Sequence, residues 1–403
     1  MAELYSLPDG WEWKTLSDIF NIERGGSPRP IKDYITYDED GINWIKISDA
    51  TKGDGKYIES TEQKIKPSGL KNTRLVVDGD FIMSNSMSFG KPYIVKTKGA
   101  IHDGWLLMRE KIEKTDKDFF YYLLSSNYMY EQFSSKASGT TVKNLNIDMV
   151  KTTNIPLPPF EEQKRIVAKL DNLFAKIDKV IALHQKNIDE ADIFMASVLN
   201  YVFVELEEKY GLIKINDVVV KTKNKNPLNE KDTPFTYIDI SSIDNKLFKI
   251  VEPKQLIGSE APSRAKKEVF QGDIIYSTTR PNLKNIAIVS ENYNNSIAST
   301  GFCVLRTNEK TINYYLFYFL ITEKLFEQIE PNIRGAQYPA TSDNDLKNCN
   351  IPNTPYETQQ KVVSYLDEIS NKMEKIKNLQ KKKMQSLKEL KASILDKAFK
   401  GEL

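Results

Sequence analysis

Arginine, lysine, asparagine and serine gather in short polar loops in both halves of this chain. These are the side chains that hold phosphates and read base edges in nucleic acids. In the first half they form Arg24-Gly25-Gly26-Ser27-Pro28-Arg29, Lys71-Asn72-Thr73-Arg74, Ser84-Asn85-Ser86 and the stretch from Ser138 to Asn144. In the second they form Lys221-Thr222-Lys223-Asn224-Lys225, Ser263-Arg264-Ala265-Lys266-Lys267, Ser277-Thr278-Thr279-Arg280 and Arg334-Gly335-Ala336-Gln337-Tyr338. The candidate contacts are Arg24, Ser27, Arg29, Lys71, Arg74, Asn85, Thr140, Thr141 and Lys143, then Lys223, Arg264, Lys266, Thr279, Arg280, Arg334 and Gln337. Taken singly, each cluster is more often a solvated loop. Their recurrence at matching places in both halves lifts the DNA reading above that alternative.

Catalytic constellations are missing from the sequence. Gly90-Lys91-Pro92 lacks the upstream glycine and the hydroxyl residue of a phosphate-binding loop, and no G-x-G-x-x-G follows a strand. Pro158-Pro159-Phe160 resembles the end of an amino-methyltransferase loop, but Leu157 stands where that loop needs an amide. Triplets such as Glu62-Gln63-Lys64 arise freely among 55 acidic and 57 basic residues, so they do not make a nuclease site. With His102 and His184 as the two histidines, and Cys303 and Cys349 without metal-like spacing, neither a metal nor a cofactor is expected.

The bulk numbers set wide bounds. A chain of 403 residues can bury two or three separate cores, and 40% hydrophobic with 28% charged is ordinary soluble composition. No run reaches membrane-spanning length, the first residues do not resemble an export signal, and two cysteines suit a reducing cytosol; a cytoplasmic protein is expected. A net charge of +2 is neutral evidence, because a DNA binder needs a local basic surface and not a basic total.

The elements that must position these loops come from an internal duplication. Residues 154–171 (NIPLPPFEEQKRIVAKLD) and 350–367 (NIPNTPYETQQKVVSYLD) lie at an offset of 196 and are identical at 9 of 18 positions. Average residue usage predicts roughly one identity by chance. The offset persists to Ala196-Ser197-Val198-Leu199 against Ala392-Ser393-Ile394-Leu395, and Phe203 against Phe399. Upstream the halves share landmarks only: Trp44 to Ser48 with Tyr237 to Ser241, and Gly79-Asp80-Phe81-Ile82 with Gly272-Asp273-Ile274-Ile275.

Each repeat block opens a long helix at a proline stop, with Glu161, Glu162 and Glu357 suiting its positive end. Apolar residues then recur in steps of three and four, among them Ile166, Leu170, Leu173 and Ile177, and Val362, Leu366, Ile369 and Met373. About forty residues make a rod of about 60 Å, too long to hide its stripe in one small domain, so two such stripes most simply pack together. Upstream, Leu75 to Val77, Phe81 to Met83, Tyr93 to Val95, Ile274 to Tyr276 and Ile286 to Val289 read as strands. Asp118 to Phe133 and Ile312 to Ile329 read as helical, with Phe119, Tyr122, Phe317 and Phe319 as core.

At this point the chain resembles the specificity subunits of type I restriction–modification systems. The resemblance rests on Leu7-Pro8-Asp9-Gly10-Trp11 through Ile19, the proline block with Glu162-Gln163, Val269 to Ile275, and Lys397-Ala398-Phe399-Lys400-Gly401-Glu402-Leu403. It covers the whole chain; the second proline block, Pro352-Asn353-Thr354-Pro355, keeps only part of the pattern. The resemblance implies an α+β fold: two mixed α/β target recognition domains joined by two long helices in an antiparallel coiled coil, with a pseudo-twofold repeat. The expected bounds are 1–155 and 209–351 for the recognition domains, and 156–208 and 352–403 for the helices. It further implies a non-catalytic chain that reads a bipartite site in double-stranded DNA. Its partners would be two methyltransferase subunits and, in the full complex, restriction subunits, with no membrane. The rival reading is a coiled-coil scaffold joining two protein-binding domains without touching DNA.

His184 interrupts the first stripe and Gln380 stands at the equivalent position of the second. They read either as partly exposed polar residues at a stutter or as a polar contact that sets helix register. Replacing both with leucine separates the two. Altered assembly, measured by light scattering, is expected from a register contact, and unchanged assembly removes that reading.

Overall fold

The computed structural model describes residues 5–51, 55–85, 90–113, 115–136, 145–335, 337 and 339–403. Two compact units form, one from Met1–His184 with Lys382–Leu403 and the other from Gln185–Lys381. Each holds a globular part and a segment of both long helices, Phe160–Tyr210 and Tyr356–Phe399.

In the first unit a five-stranded sheet runs in the order Phe20–Arg24, Trp105–Glu110, Phe81–Ser84, Pro92–Val95 and Tyr57–Ile58. A second has the order Ile35–Thr36, Gln63–Ile65, Ile42–Ile45, Gly99–Ile101 and Arg74–Val76. The strand Trp105–Glu110 carries four buried residues in succession because both its faces are covered. Leu106 and Met108 join Phe81 and Met83 in the core under the helices, whereas Trp105 and Leu107 join Ile82 and Ile45 in a second core.

The second unit repeats this plan with two four-stranded sheets. Along Phe302–Thr307, Cys303 and Leu305 enter the core with the helices, and Phe302 and Val304 enter the other. Both cysteines are buried free thiols. Parallel pairings distant in sequence occur in both units: Gly99–Ile101 on Asn43 to Ile45 and Tyr57–Ile58 on Ile94 and Val95 in the first, and Ile297 with Ala298 on Tyr237 and Ile238 in the second.

The expected strands form within a residue or so of their predicted bounds. The two aromatic segments differ from the reading as single stretches. Each is a pair of helices, Lys117–Leu124 with Asn127–Lys136, and Asn313–Leu320 with Glu323–Ile329. The break has the same cause in both. Ser126 Oγ donates to the Leu123 carbonyl and accepts from Met129 N, while Thr322 Oγ1 donates to the Phe319 carbonyl and accepts from Leu325 N. A buried hydroxyl thus ends one helix and caps the next. Phe119 and Phe319 are fully buried, and Phe317 is packed against the second core. Tyr122 is packed against the first core, and it and Tyr318 also donate to Asp171 and Asp367 on the long helices, each at 2.5 Å. Burial and the facing carboxylate push both phenols up, so they remain donors.

The long helices contain 51 and 44 residues, longer than the forty expected. Their stripes do not pack on one another alone. Ile166, Leu170 and Ile177 are buried, and Leu173 partly so, in one core with Leu16, Phe119 and Phe120 from the globular part. Leu366 is likewise buried with Val362 beside it in the second unit, and Ile369 and Met373 are half-buried. Within each unit the two helical segments run antiparallel. In the first, Arg165 meets the Leu403 carbonyl and Asp178 meets Lys391 at 2.8 Å; in the second, Asp192 meets Lys377 at 2.7 Å and Tyr210 meets Thr358. His184 and Gln380 are both half-buried and both have partners.

Each helix start is held by a buried glutamine. Gln163 accepts from Asp116 N (3.0 Å) and donates to the Pro158 carbonyl (3.0 Å). Gln359 accepts from Ile312 N (2.9 Å) and donates to the Lys310 (3.1 Å) and Thr354 (2.8 Å) carbonyls. At about 1 kcal/mol per hydrogen bond plus the penalty for buried groups left unpaired, Gln163→Ala and Gln359→Ala are each expected to cost about 2–4 kcal/mol. Urea unfolding monitored by circular dichroism checks this; a loss under about 0.5 kcal/mol, the level of a surface substitution, would deny the amides this role.

Candidate nucleic-acid interface

The polar loops of the first unit are pressed together by a pair of glycines. A Cβ on Gly25 would lie 2.1 Å from the His102 carbonyl oxygen, and one on Gly26 would lie 2.4 Å from that of Asn72. Only hydrogen fits at either position. The loop beginning at Arg24 therefore lies between the turn His102-Asp103-Gly104 and the loop from Lys71 to Arg74.

Four of the expected residues converge on that turn. Arg24 Nε (3.1 Å) and Asn85 Nδ2 (2.9 Å) both donate to the Asp103 carbonyl. Ser27 Oγ donates to the Asp103 carboxylate at 2.7 Å, and Arg29 Nη2 lies 3.4 Å from its other oxygen. The hydrogen bond from Ser27 holds the carboxyl below the usual range, so it is ionised. His102 accepts from Gly104 N at 2.8 Å through Nδ1, and burial lowers its pKa, so the ring is neutral with its proton on Nε2.

Other candidates lie further out. Arg74 is tied to Glu23 at 2.6 Å and to the Thr73 carbonyl, and Lys71 is exposed on the turn Pro67–Asn72. Thr140, Thr141 and Lys143 lie outside the described residues. Beside the Asp103 turn is a hollow of about 860 Å³ walled by Ile31, Ile35, Trp44 and Ile47, with Arg29, Lys46, His102 and Asp103 also lining it.

The second unit builds a comparable loop surface on the turn Ser299-Thr300-Gly301. Thr300 N donates to the Arg264 carbonyl, and Thr278 N to the Gly301 carbonyl. Thr279 and Arg334 both pair with Ala340, Arg280 N donates to the Pro339 carbonyl, and Gln337 is exposed close by in the chain. Arg280 and Lys284 take left-handed backbone angles (φ 51° and 50°), uncommon for residues with a Cβ and typical of constrained functional loops. Lys266 Nζ donates to Asn226 Oδ1, and its carbonyl accepts from Lys225 N, which draws in the loop carrying exposed Lys223.

A search for basic side chains missed Asp103, His102 and the hollow. The available signal was the polar triplet His102-Asp103-Gly104 between two apolar strands. Among the described residues no group of three or more histidines, cysteines and carboxylates is placed to hold a metal, and no helix is long and apolar enough to cross a membrane.

Comparison with known proteins agrees along the whole chain. The family model for the type I restriction modification DNA specificity domain matches twice, over residues 8–190 and 207–384. A putative type I restriction enzyme MjaX specificity subunit from Methanocaldococcus jannaschii is 25% identical, covering 100% of this chain and 96% of that protein. The EcoBI specificity subunit of Escherichia coli is 22% identical over 99% and 88% of the two chains. Among solved structures, a chain from a type I R-M system studied for complex assembly and conformational transition superposes with a TM-score of 0.71 at 23% identity, covering 99% of this chain and all of that one. The HsdS subunit from Thermoanaerobacter tengcongensis gives 0.52 at 22% identity, covering 99% of each. These two structures share the fold.

Glu23 offers a direct probe of this surface. Its exposed pair with Arg74 is worth at most about 1 kcal/mol to folding. Glu23→Gln is therefore expected to leave the fold intact, release Arg74 and tighten duplex DNA binding. The slope of log affinity against log salt should steepen by about 0.9 in fluorescence anisotropy. An unchanged slope would place Arg74 away from the phosphate path.

Proposed function

Because the chain belongs to the family of type I restriction–modification DNA specificity subunits, we propose that it reads a bipartite DNA target, one half-site per recognition domain. It carries out no chemistry itself. It holds two methyltransferase subunits and, in the full complex, restriction subunits, and so sets where on DNA they act.

The observation that carries this reading is the contrast between frame and loops. The frame is repeated at its main contacts: Gln163 with Gln359, Tyr122–Asp171 with Tyr318–Asp367, and Gln132 to the Asn154 carbonyl with Gln328 to the Asn350 carbonyl. The bidentate pairs Arg109–Asp80 and Arg306–Asp273 correspond as well. The loops that rest on it do not correspond in sequence. Equal frames with unequal loops suit two readers of different words. On this reading Arg24, Arg29, Lys71, Arg74, Lys143, Lys223, Arg264, Lys266, Arg280 and Arg334 meet phosphates, while Ser27, Thr140, Thr141, Thr279 and Gln337 approach bases; Asn85, expected among them, is buried and braces the Asp103 turn instead.

The helices support a partner taken up twice. Val180, Leu183 and Phe194 are exposed on the first helix, and so are Ile376, Leu379 and Leu390 at the same offset of 196 on the second. Within each trio the spacings of three and eleven keep the residues on one helix face. Repeated exposed apolar strips suit repeated docking of one kind of subunit.

A gel-shift titration of the full chain, alone and with its methyltransferase subunit, tests the proposal. Sequence-selective binding of one bipartite duplex is expected once the methyltransferase is present. Equal retention of all duplexes in both conditions would favour the scaffold reading instead.

A further inference from the structure

Asp103 is a carboxylate with Ser27 and Arg29 as donors on its two oxygens. A loop that only grips phosphates is weakened by a negative charge at its centre. A carboxylate that only neutralises an arginine pairs closely with it, as Asp80 does with Arg109, through bonds of 2.8 and 2.5 Å. Asp103 does neither. Arg29 stands 3.4 Å away with 80% of its side chain exposed, and Arg24 spends its Nε on the Asp103 carbonyl. The Asp103 side chain itself remains 45% exposed.

The turn is nevertheless firmly held. Arg24 and Asn85 fix the Asp103 carbonyl, Asn85 N fixes the Gly104 carbonyl at 3.0 Å, and Ser27 orients the carboxylate. The second unit keeps one of these bonds, Thr278 N on the Gly301 carbonyl at 2.9 Å, and Thr300 takes the place of Asp103. A rigid turn with an interchangeable tip is what a reader of alternative words requires. The tip also borders the apolar hollow walled by Trp44 and its neighbours, a concave place that admits more than a phosphate chain.

We propose that Asp103 is a specificity-determining residue of the first unit, accepting a hydrogen bond from the N4 amine of a cytosine in the major groove; this rests on the DNA-reading function above. Cytosine is singled out by its edge. It offers a donor alone, whereas adenine sets the N7 acceptor beside its N6 amine, and guanine presents only acceptors there.

The test is selection from a pool of random-sequence duplexes, using the full chain assembled with its methyltransferase subunit. Wild type and Asp103→Asn are compared. The wild-type word is expected to contain one specified cytosine that Asp103→Asn relaxes or exchanges for adenine, which asparagine reads at N6 and N7. Affinity for the original word should fall about tenfold, with every other position and the other half-site unchanged. Selection of the same word by both proteins would overturn the proposal. So would loss of preference at several positions, the result expected if Asp103 merely braces the loop. If the asparagine variant does not fold, Asp103→Glu keeps the charge and moves the acceptor by one methylene; it must weaken that same position alone, and any other pattern counts against the proposal. A wild-type protein that selects no word would refute the DNA-reading function itself, a different result from either failure of Asp103.

Discussion

Gln163 is 2% exposed, and its carboxamide joins three segments by hydrogen bonds: the proline stop, the start of an aromatic helix and the first turn of the long helix. Gln359, at 4%, does the same in the second unit. A side chain with one acceptor and one two-hydrogen donor is almost fully used by these contacts. Buried backbone groups at a helix entrance need partners, and water does not reach them here. The angle at which each long helix leaves its globular part follows from that small network. From the helix position follow the placement of Ile166 and Leu170 in the core and the meeting of Asp171 with Tyr122.

This explains why one part of the fold was legible in the sequence and another was not. The repeat block could be read at once because both copies keep the amide, whose acceptor is a backbone carbonyl that Pro158 supplies in one and Thr354 in the other, and the aspartate that meets a tyrosine. Strands such as Phe81–Ser84 announced themselves as apolar runs between glycine–aspartate turns. Sheet order did not, because Gly99–Ile101 pairs in parallel with Ile42–Ile45 across more than fifty residues and no local pattern encodes that choice. Ser126 and Thr322 were invisible for the opposite reason: a small hydroxyl inside an apolar period hardly disturbs the period, yet it ends the helix.

The candidate surface was legible by type and not by arrangement. Arginines, serines and asparagines in loops could be picked out, and Arg24, Ser27, Arg29 and Asn85 do meet. What brings them together is an acidic residue that a search for basic groups passes over, and a glycine pair whose necessity shows only when His102 and Asn72 are seen against it.

The short ribbons that close each globular part carry a further consequence. Glu12–Thr15 pairs with Asn154–Leu157, and Leu212–Lys214 pairs with Asn350–Pro352, so the chain enters and leaves each globular part through neighbouring strands. Such a part is topologically an insertion in a hairpin, its two ends one strand spacing apart, about 5 Å. Exchanging everything between the ribbon strands keeps both strands, the glutamine and the long helix in the chain, provided the replacement again offers a backbone N–H to Gln163, a tyrosine to Asp171 and apolar cover for Ile166 and Leu170. At the level of the gene, each globular part is therefore a cassette: recombination within the ribbon codons would set a different sequence into the same frame wherever it brings those contacts with it.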